Sequence, residues 1–268
     1  MQKNTLIGIC AALGCVFLAL IFDHDSPTIL FNPAALVLVV GGTTALVFAI
    51  GTLSDGKRLP SVIKKAIFGV PEDPTATIER LVQMADDSRR NGLLELEASA
   101  KNETNPFFRR GLGLVVDSKD SETIRDVLEA DLDAMQERHA RGARALKLGG
   151  GFAPTLGIIG TVIGLVHVMT NLASPATLGP AIGAAFTATL WGVLSANLIW
   201  LPMAAKLGRL TQAEVATHEA ILSGLLAIQA GEPPRTVATL LASYLPVAGS
   251  KPTAASAPGE GEESAAVA

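Results

Sequence analysis

The fold of this chain is decided by residues 148–205, which read LGGGFAPTLGIIGTVIGLVHVMTNLASPATLGPAIGAAFTATLWGVLSANLIWLPMAA. These 58 residues contain no Asp, Glu, Lys or Arg, and their one histidine is His167. The apolar core of a bilayer is about 30 Å thick, so a spanning helix needs roughly 20 apolar residues. The stretch is long enough for two such helices and a turn, which we place at 174–180. The sequence therefore predicts a membrane hairpin over residues 149–205.

The predicted hairpin is polar but uncharged inside. Its hydroxyl and amide residues are Thr155, Thr161, Thr170, Thr187, Thr189, Ser195 and Asn197. Such a hairpin, without a carboxylate of its own, suggests a subunit that lines an ion path and receives the ion-carrying acid from a partner. The alternative is that each hydroxyl bonds back to the preceding turn of its own helix, as Ser and Thr commonly do.

A second apolar region lies at the beginning of the sequence. Residues 6–22 and 33–53 form two hydrophobic runs separated by a short polar turn at 23–27, so residues 1–53 are predicted to be a first transmembrane helix pair. The apolar fraction is 49%, the mean hydropathy is +0.40 and the net charge is only -4. This composition indicates a membrane protein with a water-exposed part, and it gives no reason to expect nucleic-acid binding.

The basic residues predict the orientation in the membrane. Residues 54–148 contain 16 Lys and Arg against 17 acids, whereas the two turns between the predicted spans contain no Lys or Arg. Lys3, Lys206 and Arg209 flank the remaining ends. Because positive charges concentrate on the cytoplasmic side, both termini and residues 54–148 are predicted to be cytoplasmic.

The cytoplasmic part has a helical pattern. One helix is predicted to begin at Asp73-Pro74 and end at Gly92, another covers Pro106–Val116, and a third begins near Ser121. Residues 206–246 continue as helices, and 247–268 have the composition of a disordered acidic tail. The predicted fold is an all-α integral membrane protein with four transmembrane helices. A helical cytoplasmic torque domain (54–148) separates the second from the third, and the long third and fourth helices extend into the cytoplasm.

Four segments resemble one known family. Residues 153–166 (APTLGIIGTVIGLV) resemble the third membrane helix of the flagellar stator A subunit, the MotA/PomA family, and Thr189-Leu190-Trp191-Gly192 resembles the fourth. Residues 88–97 (SRRNGLLELE) resemble its cytoplasmic torque region, and 234–246 its C-terminal motif. The third-helix motif is shared with the wider MotA/TolQ/ExbB proton channel superfamily.

The resemblance implies a mechanism and a set of partners. Five A subunits surround two B subunits (MotB/PomB-like) in the bacterial inner membrane, and each B subunit supplies an essential Asp. Binding and release of a proton or a sodium ion at that Asp turns the A ring, whose cytoplasmic loop pushes on a FliG-like rotor switch protein. The implied protein is multi-pass, not an enzyme, and needs no cofactor beyond the transported ion.

The resemblance also assigns roles to residues of this sequence. Pro154 and Pro202 occupy the positions of the family's two coupling prolines, although a kink or a helix start would also explain them. Arg89 and Glu97 occupy rotor-contacting positions, with Arg90 and Glu95 as neighbours of weaker claim. Without the resemblance, these four residues would be interpreted as a solvated charged face.

The candidate ion path is built from hydroxyls and one histidine. Thr161 and Thr189 are the main candidates for pore hydroxyls, and Thr155 is a further one. His167 is an ionisable residue inside a predicted membrane span, and such residues are by default interpreted as functional. A histidine at the membrane surface explains it equally well. Sodium-type stators carry paired threonines where this chain has Ala188-Thr189, so a ligand oxygen is missing and protons are favoured over sodium.

Three other kinds of protein fit the sequence less well. The alternative within the superfamily is a TolQ/ExbB-like energiser that couples proton flow to outer-membrane work, but that type has one span before its cytoplasmic domain, whereas two are predicted here. A small-molecule carrier would usually show inverted repeats, and none is evident. No Walker-type loop or metal-ligand cluster in the sequence supports an enzyme.

Overall fold

The structure is a computed structural model that describes residues 4–22, 30–51, 53–170 and 175–245. Throughout these ranges the regular structure is helical, with no strand. The α-helices are α1 (Asn4–Phe22), α2 (Pro33–Leu36), α3 (Gly42–Ile50), α4 (Leu53–Phe68), α5 (Thr75–Asn91), α6 (Leu96–Asn102), α7 (Pro106–Val116), α8 (Ser121–Thr170), α9 (Pro175–Ser195), α10 (Leu201–Gln229) and α11 (Pro234–Leu241).

Two long helices dominate the molecule. The 50 residues of α8 make it about 75 Å long, and it passes without a break from the charged region into the uncharged stretch. The helix α10 continues the fourth apolar segment to Gln229, before Gly231 with its positive φ of 74°. The predicted extension of both apolar segments into charged helices is therefore present.

Within the described ranges, three helices are long and apolar enough to cross a membrane. They are Pro33–Ile50, Ser121–Thr170 and Leu178–Gln229, and the apolar part of α1, Ile7–Ala19, is shorter. The turn predicted at 174–180 is wrong from Pro175 onward, because α9 begins there. Proline is well tolerated in the first turn of a helix, where its missing N–H costs no hydrogen bond. Pro175 therefore marks the start of α9 and not a turn.

Two π-helical turns interrupt the apolar helices, and the sequence analysis did not predict them. One, Val37–Gly41, joins α2 to α3, and the other, Ala196–Trp200, joins α9 to α10. Single π-turns change the direction of side chains along a helix and occur frequently at functional sites. The second ends two residues before Pro202.

The charged half of the chain packs around one apolar core. Helices α5, α7, α8, α10 and α11 contribute buried residues to it. On α5, Ile78, Leu81 and Ala85 are buried at helical spacing. On α8, Ile124, Leu128, Leu132 and Met135 are buried as well. Glycines let these helices approach closely, since a Cβ on Gly224 of α10 would lie 2.8 Å from the Leu81 side chain.

Two helical pieces were missed by the sequence analysis. The helix α4 packs Leu59 and Ala66 against α8 and α10, and α6 follows a 3₁₀ turn at Leu93–Glu95. Pro60 interrupts the pattern of α4, and α6 has only seven residues, so neither shows a clear helical period in the sequence. The predicted turn at 23–27 and the predicted acidic tail lie outside the described residues.

Candidate functional site

The centre of the membrane hairpin is a contact between small residues of α8 and α9. A Cβ added to Gly157 would lie 2.9 Å from the Ala188 carbonyl oxygen and 3.2 Å from the Gly192 Cα. A Cβ added to Gly192 would lie 2.7 Å from the Ala153 carbonyl oxygen. The two backbones therefore touch, as small residues allow in membrane helices.

Two hydroxyls meet at this contact. The side-chain oxygens of Thr161 and Thr189 form a short hydrogen bond with each other across the helix pair. Both hydroxyls also lie 3.2 Å from the Gly157 carbonyl oxygen, and Thr161 additionally contacts the Ala185 carbonyl oxygen at 3.2 Å. Because no side chain at Gly157 covers its carbonyl, two hydroxyls and two carbonyl oxygens are concentrated at one half-buried point.

Three other polar residues of the hairpin, Thr155, Ser195 and Asn197, bond within their own helices. Thr155 is exposed and donates its hydroxyl to the Phe152 carbonyl oxygen at 2.8 Å. Ser195 bonds to the Gly192 carbonyl oxygen at 3.1 Å, and the Asn197 amide bonds to that of Val193 at 2.9 Å. These contacts follow the alternative of bonding within one helix. The structure thus brings together two of the predicted pore hydroxyls and separates the others.

His167 lies beyond the threonine pair, toward the C-terminal end of α8. It is six residues beyond Thr161 on α8, which corresponds to about 9 Å along the helix axis. Its side chain is exposed and borders an open cleft of about 490 Å³ between α2, α8 and α9. The cleft is lined mainly by alanines and glycines, with Asn32 at its edge. His167 is therefore near the ion-path candidates along the axis but does not join the threonine pair.

Two side-chain hydrogen bonds hold the chain just before α2 against α9. The amide of Asn32 donates to the Ala184 carbonyl oxygen at 3.0 Å, while its oxygen caps α2. The indole of Trp191 donates to the Leu30 carbonyl oxygen at 2.7 Å. Trp191 therefore acts in packing, as expected for a residue in the middle of a span.

The two prolines lie where the long helices pack most closely. Pro154 is inside α8, and its Cα is 3.2 Å from the position of a Cβ on Gly192. Pro202 is at the start of α10, directly after the π-turn. One turn away, a Cβ on Gly149 would lie 2.5 Å from the Trp200 ring. Proline has no backbone N–H, so each of these two helices lacks one backbone hydrogen bond in the region where they pack together.

The four predicted rotor-contacting residues form one exposed group. Arg89 and Arg90 end α5, Glu95 lies in the 3₁₀ turn and Glu97 begins α6. The chain turns between them at Gly92, whose φ of 87° favours glycine. All four side chains are exposed, as both the predicted function and the solvated-face alternative require.

Two of these four residues form ion pairs with a neighbour on their own helix, and two do not. Arg90 pairs with Asp86 at 2.6 Å, and Glu97 pairs with Lys101 at 2.8 Å. The hydrogen bond and the charge of Lys101 lower the pKa of Glu97. Arg89 and Glu95 have no ion-pair partner among the residues that the structure describes. Their charges are therefore the most available to another molecule.

A cluster of titratable residues between α4, α8 and α10 was missed by sequence reasoning. Glu214 of α10 pairs with Lys65 at 3.1 Å and lies 3.7 Å from His139. Nearby, His218 stacks on Phe107 with ring centroids 4.2 Å apart. These residues are up to 153 positions apart in sequence, so no local motif could have indicated them.

Burial controls the protonation of this cluster. Burial lowers the pKa of His139, and the neighbouring Lys65 lowers it further, against the opposing charge of Glu214. Burial also lowers the pKa of His218, whose Nδ1 has no hydrogen-bond partner within the described structure. Burial and the charge of Glu214 raise the pKa of Glu72, which lines the adjoining cleft of about 560 Å³.

Comparisons with known proteins agree with this architecture. The sequence profile of the MotA/TolQ/ExbB proton channel family matches residues 99–220. The chain is 35% identical to motility protein A of Bacillus subtilis over 250 residues, which cover 92% of each chain. It is 32% identical to the chemotaxis protein PomA of Vibrio alginolyticus, over 91% of this chain and 96% of that one.

A solved structure matches as well. The flagellar MotAB stator complex of Bacillus subtilis contains a chain that superposes with a TM-score of 0.85 and 33% identity, covering 91% of this chain and 97% of that one. These matches to motility protein A and PomA over nearly the whole length of both chains show that the chain belongs to the MotA/PomA branch of the MotA/TolQ/ExbB proton channel family.

Proposed function

We propose that this chain is the A subunit of a bacterial flagellar stator, which forms an ion channel with a B subunit and converts ion flow into torque on the rotor. One observation carries the proposal. Thr161 and Thr189 place their hydroxyls at the centre of an uncharged hairpin, and residues 148–205 contain no carboxylate to bind the ion. An ion path of this kind needs an acid from a partner.

The apolar surface of the hairpin supports assembly with other subunits. Large side chains of α8 and α9 are strongly exposed in the single chain, including Ile158, Val162, Val166 and Phe186. Lipid and neighbouring subunits together have to cover this surface. We infer a ring of five A subunits around two MotB/PomB-like spans, each carrying the essential Asp. In this arrangement the threonine pair faces the acid and supplies oxygen atoms along its path.

The proposed topology has four spans in the inner membrane, with both termini in the cytoplasm. The α1 helix has 19 residues, which gives it about 28 Å and makes it long enough to be the first span. Residues 1–53 then form the first helix pair, 149–205 the second, and 54–148 with 206–246 the cytoplasmic part. The distribution of Lys and Arg supports this orientation.

The long helices supply a route from the ion path to the rotor. A movement of α8 against α9 near Pro154 and Pro202 is transmitted along α8 and α10, because both helices continue into the cytoplasmic core. The exposed charges of Arg89, Arg90, Glu95 and Glu97 are then the contacts with a FliG-like switch protein. Charge complementarity suits such a transient contact, since it acts mainly on orientation and rate of encounter.

We favour protons over sodium as the driving ion. Ala188 is buried at the contact with α8, so its position offers a methyl group where sodium-type relatives have a second hydroxyl. Sodium needs several oxygen ligands to replace its hydration shell, whereas a proton needs one carboxylate and a water path. The paired threonine hydroxyls alone are a small ligand set.

Swimming speed in a host that lacks its own stators tests both parts of the proposal. Co-expression with the cognate single-span partner should restore swimming, and the chain alone should not. Replacing external sodium by potassium at constant pH should leave the speed unchanged, while a protonophore should stop the cells. Rescue of outer-membrane energisation instead of swimming would favour the TolQ/ExbB-like alternative. Loss of speed without sodium would reverse the ion assignment.

A further inference from the structure

One carboxylate oxygen of α10 lies beside two basic side chains from two other helices. The ammonium of Lys65 on α4 donates to Oε2 of Glu214 at 3.1 Å, and Nδ1 of His139 on α8 is 3.7 Å from the same oxygen. The second distance is too long for a hydrogen bond. Nδ1 of His139 is buried and has no hydrogen-bond partner within the described structure. A movement of roughly 1 Å would bring it within bonding distance of Oε2.

The two basic side chains differ in how well water can replace the carboxylate. The Lys65 side chain is 47% exposed and ends in a flexible stem, so its ammonium can be hydrated without Glu214. The His139 side chain is only 25% exposed, so its charged form would depend on a nearby anion. One carboxylate cannot neutralise two cations. Once His139 is protonated, it therefore gains more from binding Glu214 than Lys65 does.

The surroundings of His139 allow it to take up a proton in mild acid. The ring borders an open cleft of about 540 Å³ between α8 and α10, which gives protons access. Burial and the charges of Lys65 and Arg138 lower the pKa of His139, against the charge of Glu214, so the ring is neutral near pH 7. The charged and titratable groups around the pair are Lys65 of α4, Glu72 before α5, Asp133, Glu137 and Arg138 of α8, and His218 of α10.

The pair of Lys65 and Glu214 is one of the contacts that hold the end of α4 on α10. Beside it, the ammonium of Lys206 donates to the Ile67 carbonyl oxygen at 2.7 Å. A Cβ on Gly69 would lie 2.7 Å from the Leu210 side chain. Residues 69–74 alone separate α4 from α5. A change in how α4 is held on α10 therefore reaches the beginning of α5.

We propose that Glu214 changes its partner as the pH falls, from Lys65 near pH 7 to protonated His139 in mild acid. This partner switch draws α8 and α10 together and removes one charged contact from the end of α4. The switch rests on the contacts just described. Only its link to the pH of the cytoplasm rests on the proposed function, which places these helices in the compartment that receives the protons.

Hydrogen–deuterium exchange at the end of α4 tests the partner switch. Mass spectrometry follows residues 61–72 of the full-length protein at about pH 7.5 and about pH 5.5, and variants are compared at the same pH. The original protein and His139→Gln should exchange equally at the higher pH, and the original should exchange several-fold faster at the lower one. Lys65→Met, which lacks the contact at every pH, should exchange fast at both. The matched control is Lys64→Met, which removes the neighbouring exposed cation and should follow the original protein.

The titration of His139 provides a second measurement, which a purely structural role of Lys65 would not affect. NMR of labelled histidine gives its pKa, and the signal is assigned by its absence in His139→Gln. Lys65→Met removes both a repelling charge and the competitor for Glu214, so the pKa of His139 should rise by about one unit. Glu214→Gln should lower this pKa, and Lys64→Met should change it little.

Three results contradict the proposal. Equal exchange of the original protein and His139→Gln at both pH values would overturn the switch. Loss of their difference in a Glu72→Gln background would assign the pH response to Glu72 instead. Full protection of α4 in Lys65→Met would show that Lys65 does not hold this end of the helix. None of these measurements uses ion flux or swimming, so failure of the switch is distinct from failure of the proposed function.

Discussion

The hydroxyl of Thr161 on α8 is hydrogen-bonded to the hydroxyl of Thr189 on α9, and both share the carbonyl oxygen of Gly157. The arrangement requires that the two backbones touch, since Gly157 has no side chain to keep them apart. One glycine therefore serves both the packing of the hairpin and the exposure of an oxygen atom. The proposed ion path depends on this contact.

Adding a methyl group at this contact should separate the helices. In the Gly192→Ala variant the new Cβ would lie 2.7 Å from the Ala153 carbonyl oxygen, which cannot move without shifting α8. We expect a cost of about 1–3 kcal/mol and loss of assembled, motile stators. The matched control is Gly151→Ala, where a Cβ meets nothing within 4 Å. Membrane level, assembly by crosslinking and swimming are measured together, and equal behaviour of the two variants would contradict the close contact.

Removing one hydroxyl should affect ion flow more than folding. Thr189→Val keeps the volume and loses an interhelical hydrogen bond of about 1 kcal/mol, so the protein should still assemble. Thr189→Ser keeps the hydroxyl and is the control. We expect slow swimming in the Thr189→Val variant and near-normal swimming in the Thr189→Ser variant. If the valine variant assembles and swims at the original speed, the hydroxyl has only a packing role.

Reversing exposed charges should weaken torque without preventing assembly. Arg89→Glu removes a cation that has no ion pair in the described structure, whereas Arg90 is already paired with Asp86. Arg89→Glu combined with Glu97→Lys should therefore reduce swimming more than Arg90→Glu alone. A complementary reversal on the rotor protein should restore part of it, and the loss should be sensitive to ionic strength. Normal swimming of the double variant would contradict a rotor contact.

The core packed by α5, α7, α8, α10 and α11 should lose stability in mild acid. The pKa of His139 and the pKa of His218 are lowered by burial, so the unfolded chain binds more protons than the native one as pH falls below about 6.5. The pKa of Glu72 is raised above its usual value of about 4.5, so the native protein binds this proton at a higher pH than the unfolded chain does. Protonation of Glu72 therefore favours the native state as the pH falls, and it opposes the effect of the histidines. Thermal unfolding at about pH 7.5 and about pH 5.5 measures the balance.

Replacing one histidine isolates its share of this loss. His218→Phe keeps a ring to stack on Phe107 and removes a buried Nδ1 without a hydrogen-bond partner. The variant should match the original protein near pH 7.5 and should be more stable near pH 5.5, because no proton can enter at this position. Parallel pH curves of the two proteins would show that His218 does not contribute to the acid sensitivity.

Sequence patterns predicted the parts of the structure that depend on local periodicity. The uncharged stretch, the end of α5 at Gly92 and the beginning of α8 at Ser121 follow from composition, a glycine with positive φ and helical spacing. The turn predicted at 174–180 was wrong from Pro175 onward, because proline starts a helix as readily as it ends one.

The features that sequence could not give arise from tertiary contacts. The two π-turns have no composition signal, and the Lys65–Glu214–His139 cluster joins three helices that are distant in the chain. Thr161, Thr189 and Thr155 were predicted only as candidate pore hydroxyls, and the sequence did not indicate that the first two pair while Thr155 bonds within its own helix. Roles for Pro154, Pro202 and His167 remain predictions from the family resemblance.

Ion flux through reconstituted protein tests the central claim most directly, that this chain lines an ion path but depends on a partner's carboxylate. Liposomes containing the chain alone, the chain with its B subunit, and the chain with a B subunit whose intramembrane Asp is replaced by Asn are compared under the same driving force, with the peptidoglycan-binding part of the B subunit removed. We predict flux only in the second preparation, because residues 148–205 supply no acid of their own. Robust flux through the chain alone, or undiminished flux with the Asn variant, would contradict the account.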